Sequence, residues 1–368
     1  LKESTMKTYR AALIGCGIMA GPIEDEVRNI PGMVLPYSHA HSFQGCDRTE
    51  LVALASRQVA SLDWFGENFH IEKRHQYTDY REMILKEKPD IVTVGTQPEE
   101  RAERVIFAAE HGVKAIYAEK AMSASMQEAD AMVKAVEQNG VAFNLGTQRR
   151  WDPGFDKMKE VIASGELGSL KTLITHYNGT LANTGSHYFD LLMHLNNDNP
   201  VSWVQAHLPD SEDAIEGNII VKDPPGHGII QFSNGVTAYV ILSGKGNASE
   251  HEIICERGTM TQVSNGASWE LRVFDNEDGS HQFPYFEPAS STVKLIEDLV
   301  QSLDNGTTTR GNVRVARAST ELLFAFIESH RNNGARVKLP LKDCNLKFQI
   351  QRTPKPFPRD GEIWPMAR

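Results

Sequence analysis

Apolar positions in the first part of the chain fall into short runs of strand length, at residues 11–14, 51–55, 91–95, 113–117 and 141–145. Between them, residues 79–86, 100–110 and 125–138 carry apolar side chains at helical spacing, the last with Ser125 as N-cap and Glu128 three residues on. Strands alternating with helices predict βαβ units and a parallel sheet. After Arg150 the pattern changes. A helix over residues 155–163 leads into β-rich runs at 170–177, 203–206, 218–221, 228–232, 236–242 and 252–256, joined by Gly, Asn and Asp turns, which predicts one large, mainly antiparallel sheet. Two helices, residues 291–303 and 314–330, complete this half, the second stopped by Asn333-Gly334.

The first apolar run enters Gly15-x-Gly17-x-x-Ala20. Gly15 allows a tight turn off the strand, and Gly17 has no side chain to keep the backbone from a pyrophosphate. Following an apolar strand and set at the head of the alternating strands and helices, the motif predicts a dinucleotide-binding Rossmann domain over residues 6–150, with Gly15, Gly17, Ile18 and Met19 at the cofactor. An α+β domain for substrate binding and oligomerisation follows over residues 151–340. Residues 341–368, rich in proline and basic side chains, read as a C-terminal arm, loosely attached or docked on a neighbouring subunit.

The second strand ends in Ser56-Arg57, where a fold that prefers NAD usually places an acid against the ribose 2′-hydroxyl. Ser56 can donate a hydrogen bond to a 2′-phosphate and Arg57 can pair with it, so the expected cofactor is NADP, with NAD as the other possibility. Ser56 follows Gly17 by 39 positions, against the usual spacing of about 20. Residues 21–37, with Pro22, Pro31, Gly32 and Pro36, account for the excess as an excursion beside the pyrophosphate, covering the cofactor, lining the substrate cleft or simply lying on the surface.

Composition narrows the partners. The 368 residues carry a formal charge of −10, and no basic stripe offsets the 48 acidic side chains, which argues against nucleic acid and for a small molecule. Cys16, Cys46, Cys255 and Cys344 lie too far apart for a zinc or redox motif, so no metal is expected. Without a long apolar run or a secretory leader the expected location is the cytoplasm and membranes are not expected partners, with Met6 taken as the natural start.

Two constellations carry candidate chemistry. Lys120, after Glu119 at the end of a strand, can point into the cleft where open α/β sheets bind ligands, and there polarise a carbonyl or hydrogen-bond a hydroxyl. Downstream, His187, Asp190 and His194 recur at helical spacing, with His187 placed to act as a general base and His194 beside leucines as a structural histidine.

Taken together, Gly15-x-Gly17-x-x-Ala20, Glu119-Lys120, Gly185-x-His187 with Asp190, and the closing Gly311, Leu322 and Leu339-Pro340-Leu341 resemble the Gfo/Idh/MocA family, the glucose-fructose oxidoreductase and inositol dehydrogenase relatives, over nearly the whole chain. The resemblance implies an N-terminal Rossmann domain, a C-terminal domain whose open sheet supports a homodimer or homotetramer, and hydride transfer between nicotinamide C4 and a secondary hydroxyl or ketone of a sugar, sugar derivative or cyclitol. It implies Lys120 and His187 as catalytic residues, Thr96, Glu119 and Lys120 at the cofactor, and Asn183 and Asp190 at the substrate. Thr147-Gln148-Arg149-Arg150-Trp151 matches the family's entry to the hinge, where Arg149 or Arg150 can reach a substrate or carboxylate and Trp151 can pack under a sugar ring or anchor the hinge. The chain departs from the pattern at Ala121, where the motif has proline, at Asn183, where it has aspartate, and at Arg101, where many members have histidine. Other chemistries within reach are an NAD-dependent glycoside hydrolase or lyase working through a transient keto sugar, and a non-catalytic nucleotide-sensing regulator.

Overall fold

The structure, a computed structural model, describes residues 6–242, 249–274 and 280–350. Among them, β1 (Tyr9–Ile14), β2 (Thr49–Ala55), β3 (Gln76–Tyr77), β4 (Ile91–Val94), β5 (Ala115–Ala118) and β6 (Ala142–Leu145) form an all-parallel sheet of order β3-β2-β1-β4-β5-β6. That is the Rossmann order, and the chain direction across the sheet reverses between β1 and β4. The two-residue β3 had no apolar run to reveal it. Helices follow the expected grammar: α1 (Ile23–Val27), α2 (His39–Gly45), α3 (Val59–Phe69), α4 (Tyr80–Glu87), α5 (Pro98–Glu110) and α6 (Met126–Gln138) connect the strands. At α6 the Ser125 hydroxyl accepts from the Glu128 amide at 3.2 Å, while the Glu128 carboxylate reaches the Ala124 amide at 3.0 Å.

After α7 (Pro153–Ser164) the second sheet begins with β7 (Leu170–Tyr177), followed by α8 (Ser186–Leu195) and β8 (Val201–His207). The strands β9 (Ile215–Glu216) and β10 (Ile219–Ile220) belong to a separate small sheet, whereas β11 (Gly226–Phe232), β12 (Thr237–Leu242), β13 (Ser249–Cys255), β14 (Gly258–Val263), β15 (Ser268–Val273) and β16 (Ser280–His281) return to the large one. With β17 (Val337–Lys338) its order is β16-β15-β14-β13-β7-β12-β11-β8-β17. Its pairings are antiparallel except at the centre, where β7 and β12 run parallel. Parallel neighbours need a long crossover, and here α8 and β8 to β11 supply it.

The last two long helices part company. α10 (Val313–Arg331) packs between the second sheet and α6, and stops where Asn333 and Gly334 take positive φ. α9 (Ser291–Asn305), expected to finish the second half, instead lays Leu295, Ile296, Leu299 and Val300 against the first sheet beside Ala11, Phe43 and Phe65. Its apolar stripe specified burial but not against which sheet. The arm is corrected too. Residues 341–350 dock on their own chain: β18 (Lys347–Phe348) pairs with β10, Phe348 is buried beside Phe324, and the Phe348 amide donates to the Ala124 carbonyl at 2.8 Å. Residues 351–368 lie outside the described residues.

Where the chain leaves β6 for the second sheet, Arg150 is buried at 1% exposure. Its guanidinium holds Asp190 of α8 through Nε and Nη2 at 3.0 to 3.1 Å and Asp198 through Nη1 and Nη2 at 2.9 and 2.8 Å. Opposite charge lifts the arginine further above its ordinary range against the effect of burial. Asp190, assigned from the family pattern to substrate, therefore faces this ion pair and not a cleft. Removing one partner of a buried pair strands the other charge. Arg150→Met should lose about 3–5 kcal/mol in urea unfolding, whereas Lys86→Met, at an exposed pair with Glu82, should change stability by less than about 1 kcal/mol.

Candidate functional site

The crevice at the strand reversal is built by backbone. Gly15 leaves β1 at φ +95° with its amide on the Ala55 carbonyl at 2.8 Å, and a Cβ there would sit 3.0 Å from the Gly95 carbonyl oxygen. An L side chain fits neither the angle nor the space. Gly17 is different: its φ is −96°, and a Cβ would meet nothing within 4 Å. Ile18 and Met19, half buried, complete the turn, and Ala20 packs into the core. Across the crevice Thr96 follows β4, and its hydroxyl is buried without a hydrogen-bond partner. An open cradle at Gly17 and an orphaned hydroxyl at Thr96 fit the phosphates and ribose of a dinucleotide.

At the end of β2, the Ser56 hydroxyl pairs with that of Ser61 at 2.9 Å, and the exposed Arg57 guanidinium meets the Glu100 carboxylate at 2.8 Å. The structure thus gives Arg57 an acidic neighbour that the sequence, read locally, did not place there.

The loop after β5 is held by side chains from three elements. Glu119, buried, takes His39 Nε2 on one oxygen at 2.9 Å and its neighbour's backbone amide, Lys120 N–H, on the other at 3.2 Å. Burial opposes its charge, but the His39 bond and the surrounding cations leave its carboxyl below the ordinary range. Arg101, buried on α5, donates to the Thr96 and Ala121 carbonyls and so clamps the loops after β4 and β5 together. The Lys120 ammonium reaches over to the second half, donating to the Asn183 carbonyl at 2.6 Å and to its side-chain oxygen at 2.8 Å. Asn183 lies in a single π-type turn, Leu181–Gly185, that runs into α8.

Asp223 shapes that turn, accepting from the Thr180 hydroxyl at 2.6 Å and from the Ala182 and Asn183 amides at 2.8 Å each. Sequence reasoning missed both Asp223 and His39, since neither stands in a motif and each acts across a long stretch of chain. One turn beyond Asn183, His187 Nδ1 is buried and unpartnered. Burial, then the charges of Lys120 and Arg149, hold its pKa well below 6.5. Lys120 is likewise lowered from 10.5, chiefly by burial against the pull of Glu119. A neutral imidazole and an ammonium of reduced pKa stand together, able to take up and stabilise a proton or negative charge on one oxygen.

The excursion of residues 21–37 lines the cleft. Glu24 of α1 ties its two ends, accepting from the Tyr37 and Ser38 amides at 2.9 and 2.8 Å. Its tip touches the second sheet: Gly32, at φ +80°, lies so close that a Cβ would sit 2.5 Å from the Asn265 carbonyl oxygen. Between excursion and sheet lies an open pocket lined by Tyr37, Gln148, Arg149 and Gln262 among others, with Gln148 donating to the Tyr37 hydroxyl at 2.6 Å. Trp151, weighed as a sugar platform or a hinge anchor, is 1% exposed with its indole N–H on Asp298 at 3.2 Å, so it is an anchor and offers no face to a ligand.

Residues 10–147 match the family described as oxidoreductase, NAD-binding Rossmann fold. The chain is 30% identical over 166 residues to D-apiose dehydrogenase of Paraburkholderia graminis, covering 45% of this chain and 39% of that protein. It is 27% identical over 175 residues to inositol 2-dehydrogenase of Salmonella typhimurium, covering 47% of each. The matched part thus spans less than half of these relatives. The fold is similar to that of an aldose-aldose oxidoreductase from Caulobacter crescentus, with a TM-score of 0.75 at 19% identity over 90% of this chain and all of that one. No helix among the described residues is long and apolar enough to cross a membrane.

Because Gly17 adopts ordinary backbone angles beside open space, Gly17→Val should leave the thermal unfolding of the ligand-free chain nearly unchanged. Its affinity for NAD and NADP, measured by fluorescence titration, should nonetheless fall tenfold or more, ~1.4 kcal/mol.

Proposed function

Because this chain belongs to the Gfo/Idh/MocA oxidoreductases through residues 10–147, we propose that it is an NAD(P)-dependent dehydrogenase or reductase acting on a secondary hydroxyl or ketone of a sugar, sugar derivative or cyclitol. A bound nicotinamide supplies the hydride acceptor or donor. The observation that carries the proposal is the contact of Lys120, at the end of β5, with Asn183 of the second half, one turn before His187. In the oxidation direction His187 takes the hydroxyl proton on a ring nitrogen, and the Lys120 ammonium stabilises the oxygen as it becomes negative. Asn183 and Asp223 orient Lys120, while Glu119, held by His39, keeps its charge beside it. The relatives named for D-apiose and inositol support a polyhydroxylated substrate. The outward face of the second sheet, where Tyr239 and Ile241 of β12 stand exposed, supports a homodimer or homotetramer built on that face.

Lys120→Met and His187→Asn should each lower kcat by ~10²–10⁴-fold with the fold intact, since each removes one proton-transfer or charge-stabilising group. The pH profile carries a sign. The imidazole is a base whose folded pKa is depressed, so it stays neutral and competent through neutrality, and the acid limb of kcat/KM for oxidation should lie below pH 6.5. An acid limb at or above that value would remove His187 from the role.

We also propose that NADP is the favoured cofactor. The Arg57–Glu100 pair is exposed, and such pairs are worth under about 1 kcal/mol, so a 2′-phosphate can displace Glu100 from the guanidinium. Titration should show NADP binding several-fold more tightly than NAD, with Arg57→Ala erasing the difference. Tighter binding of NAD would refute this preference.

A further inference from the structure

Neighbouring arginines in the hinge have opposite surroundings. Arg150 is saturated by two carboxylates, whereas the Arg149 guanidinium makes no hydrogen bond or ion pair among the described residues and lies over the Tyr188 ring, 5.0 Å from its centroid. Arg149 lines the cavity, and its charge is felt at both Lys120 and His187. A second unsatisfied donor belongs to the same lining: Gln262 of β14 is 1% exposed, and its amide nitrogen has no partner. Nearby acids do not answer these donors. Asp152 caps α7 through the Gly154 amide at 2.8 Å, Glu119 is held by His39, and Asp223 is occupied by the turn before α8. Two donors of the cavity lining thus stand unanswered, and a half-buried cation and a buried amide left unpaired carry a desolvation cost that a ligand can relieve.

We infer that Arg149 and the Gln262 amide form a carboxylate subsite, so that the substrate class is a sugar acid, a uronate or aldonate, and not a neutral polyol. A guanidinium presents two parallel N–H donors matched to the two oxygens of a carboxylate. One cation and one amide suit a single negative charge. A phosphate dianion would call for a second cation, and Lys120 is committed to the reacting oxygen. The pocket opens to solvent, so a sugar acid can enter with its carboxylate at Arg149 and a carbinol directed toward Lys120 and His187. This assignment rests on the oxidoreductase proposal for the identity of the reacting group, but the subsite itself is read by binding alone.

The experiment is calorimetric titration of the full chain saturated with NADP or NAD. The acids are D-glucuronate, D-galacturonate and D-gluconate; the comparisons are D-glucose, D-galactose, myo-inositol and D-glucose 6-phosphate. At least one acid should bind about tenfold or more tightly than its neutral counterpart. Arg149→Gln should abolish that preference, Gln262→Leu should reduce it, and Arg149→Lys should restore part of it. Should Arg149→Gln fail to fold, the wild-type preference and the Gln262→Leu loss decide the question. The subsite is overturned if no acid is preferred, if the preference survives Arg149→Gln, or if the phosphate ester binds most tightly. Absorbance of reduced nicotinamide is followed separately. Acid preference without turnover of any compound would sink the dehydrogenase proposal and leave the subsite standing, and turnover of neutral sugars without acid preference would do the reverse.

Discussion

The spacing between the two halves of the site depends on one buried ion pair. Lys120 hangs from the first sheet and His187 from α8 of the second half, and the clearest ionic tie between these elements is the Arg150 guanidinium gripping Asp190 and Asp198. A buried ion pair contributes little net stability when compared with an apolar replacement. Its value lies in geometry, because a bidentate guanidinium accepts its partners over a narrow range of positions and so sets where α8 begins. Arg310 extends the same network to Asp156 and to the Arg150 carbonyl, with His194 beside them. Burial, working against the Asp156 bond, keeps His194 down at about 4, so it enters this network as a neutral side chain at ordinary pH.

Around that joint, polar groups that are internally satisfied stand beside ones that keep an unpaired atom. Glu24, Asp223, Arg101 and Arg150 spend their donors or acceptors on backbone and neighbouring side chains. Thr96 after β4, His187 on α8 and Gln262 in the pocket lining each retain an unpaired atom. Native interiors rarely leave such atoms unmatched without a ligand to meet them.

The excursion after the glycine turn shows why a local surplus of residues can be functional. Proline and glycine deny it a long helix, but its ends are drawn together by Glu24 and its tip is pressed against the hairpin after β14. It therefore forms one wall of the pocket that also contains Gln148, Arg149 and Gln262. Of the roles its composition allowed, lining the cleft is the one that its contacts describe.

Some features were legible because they are local. Strand and helix periods, the Ser125 cap, the glycine turn and the stop at Asn333-Gly334 each depend on residues within a few positions, so the linear pattern alone determined them. Others depend on which surfaces meet, and only the tertiary structure decided those. The apolar stripe of α9 does not specify its partner sheet, the burial of Trp151 and Asp190 follows from the joint, and the acid beside Arg57 arrives from a different βα unit. The same holds for the contrast between Arg149 and Arg150: adjacent and chemically identical in the sequence, they differ because one side chain meets two carboxylates and the other an aromatic ring and open space. Side-chain environment is a property of long-range packing, which local periodicity does not encode.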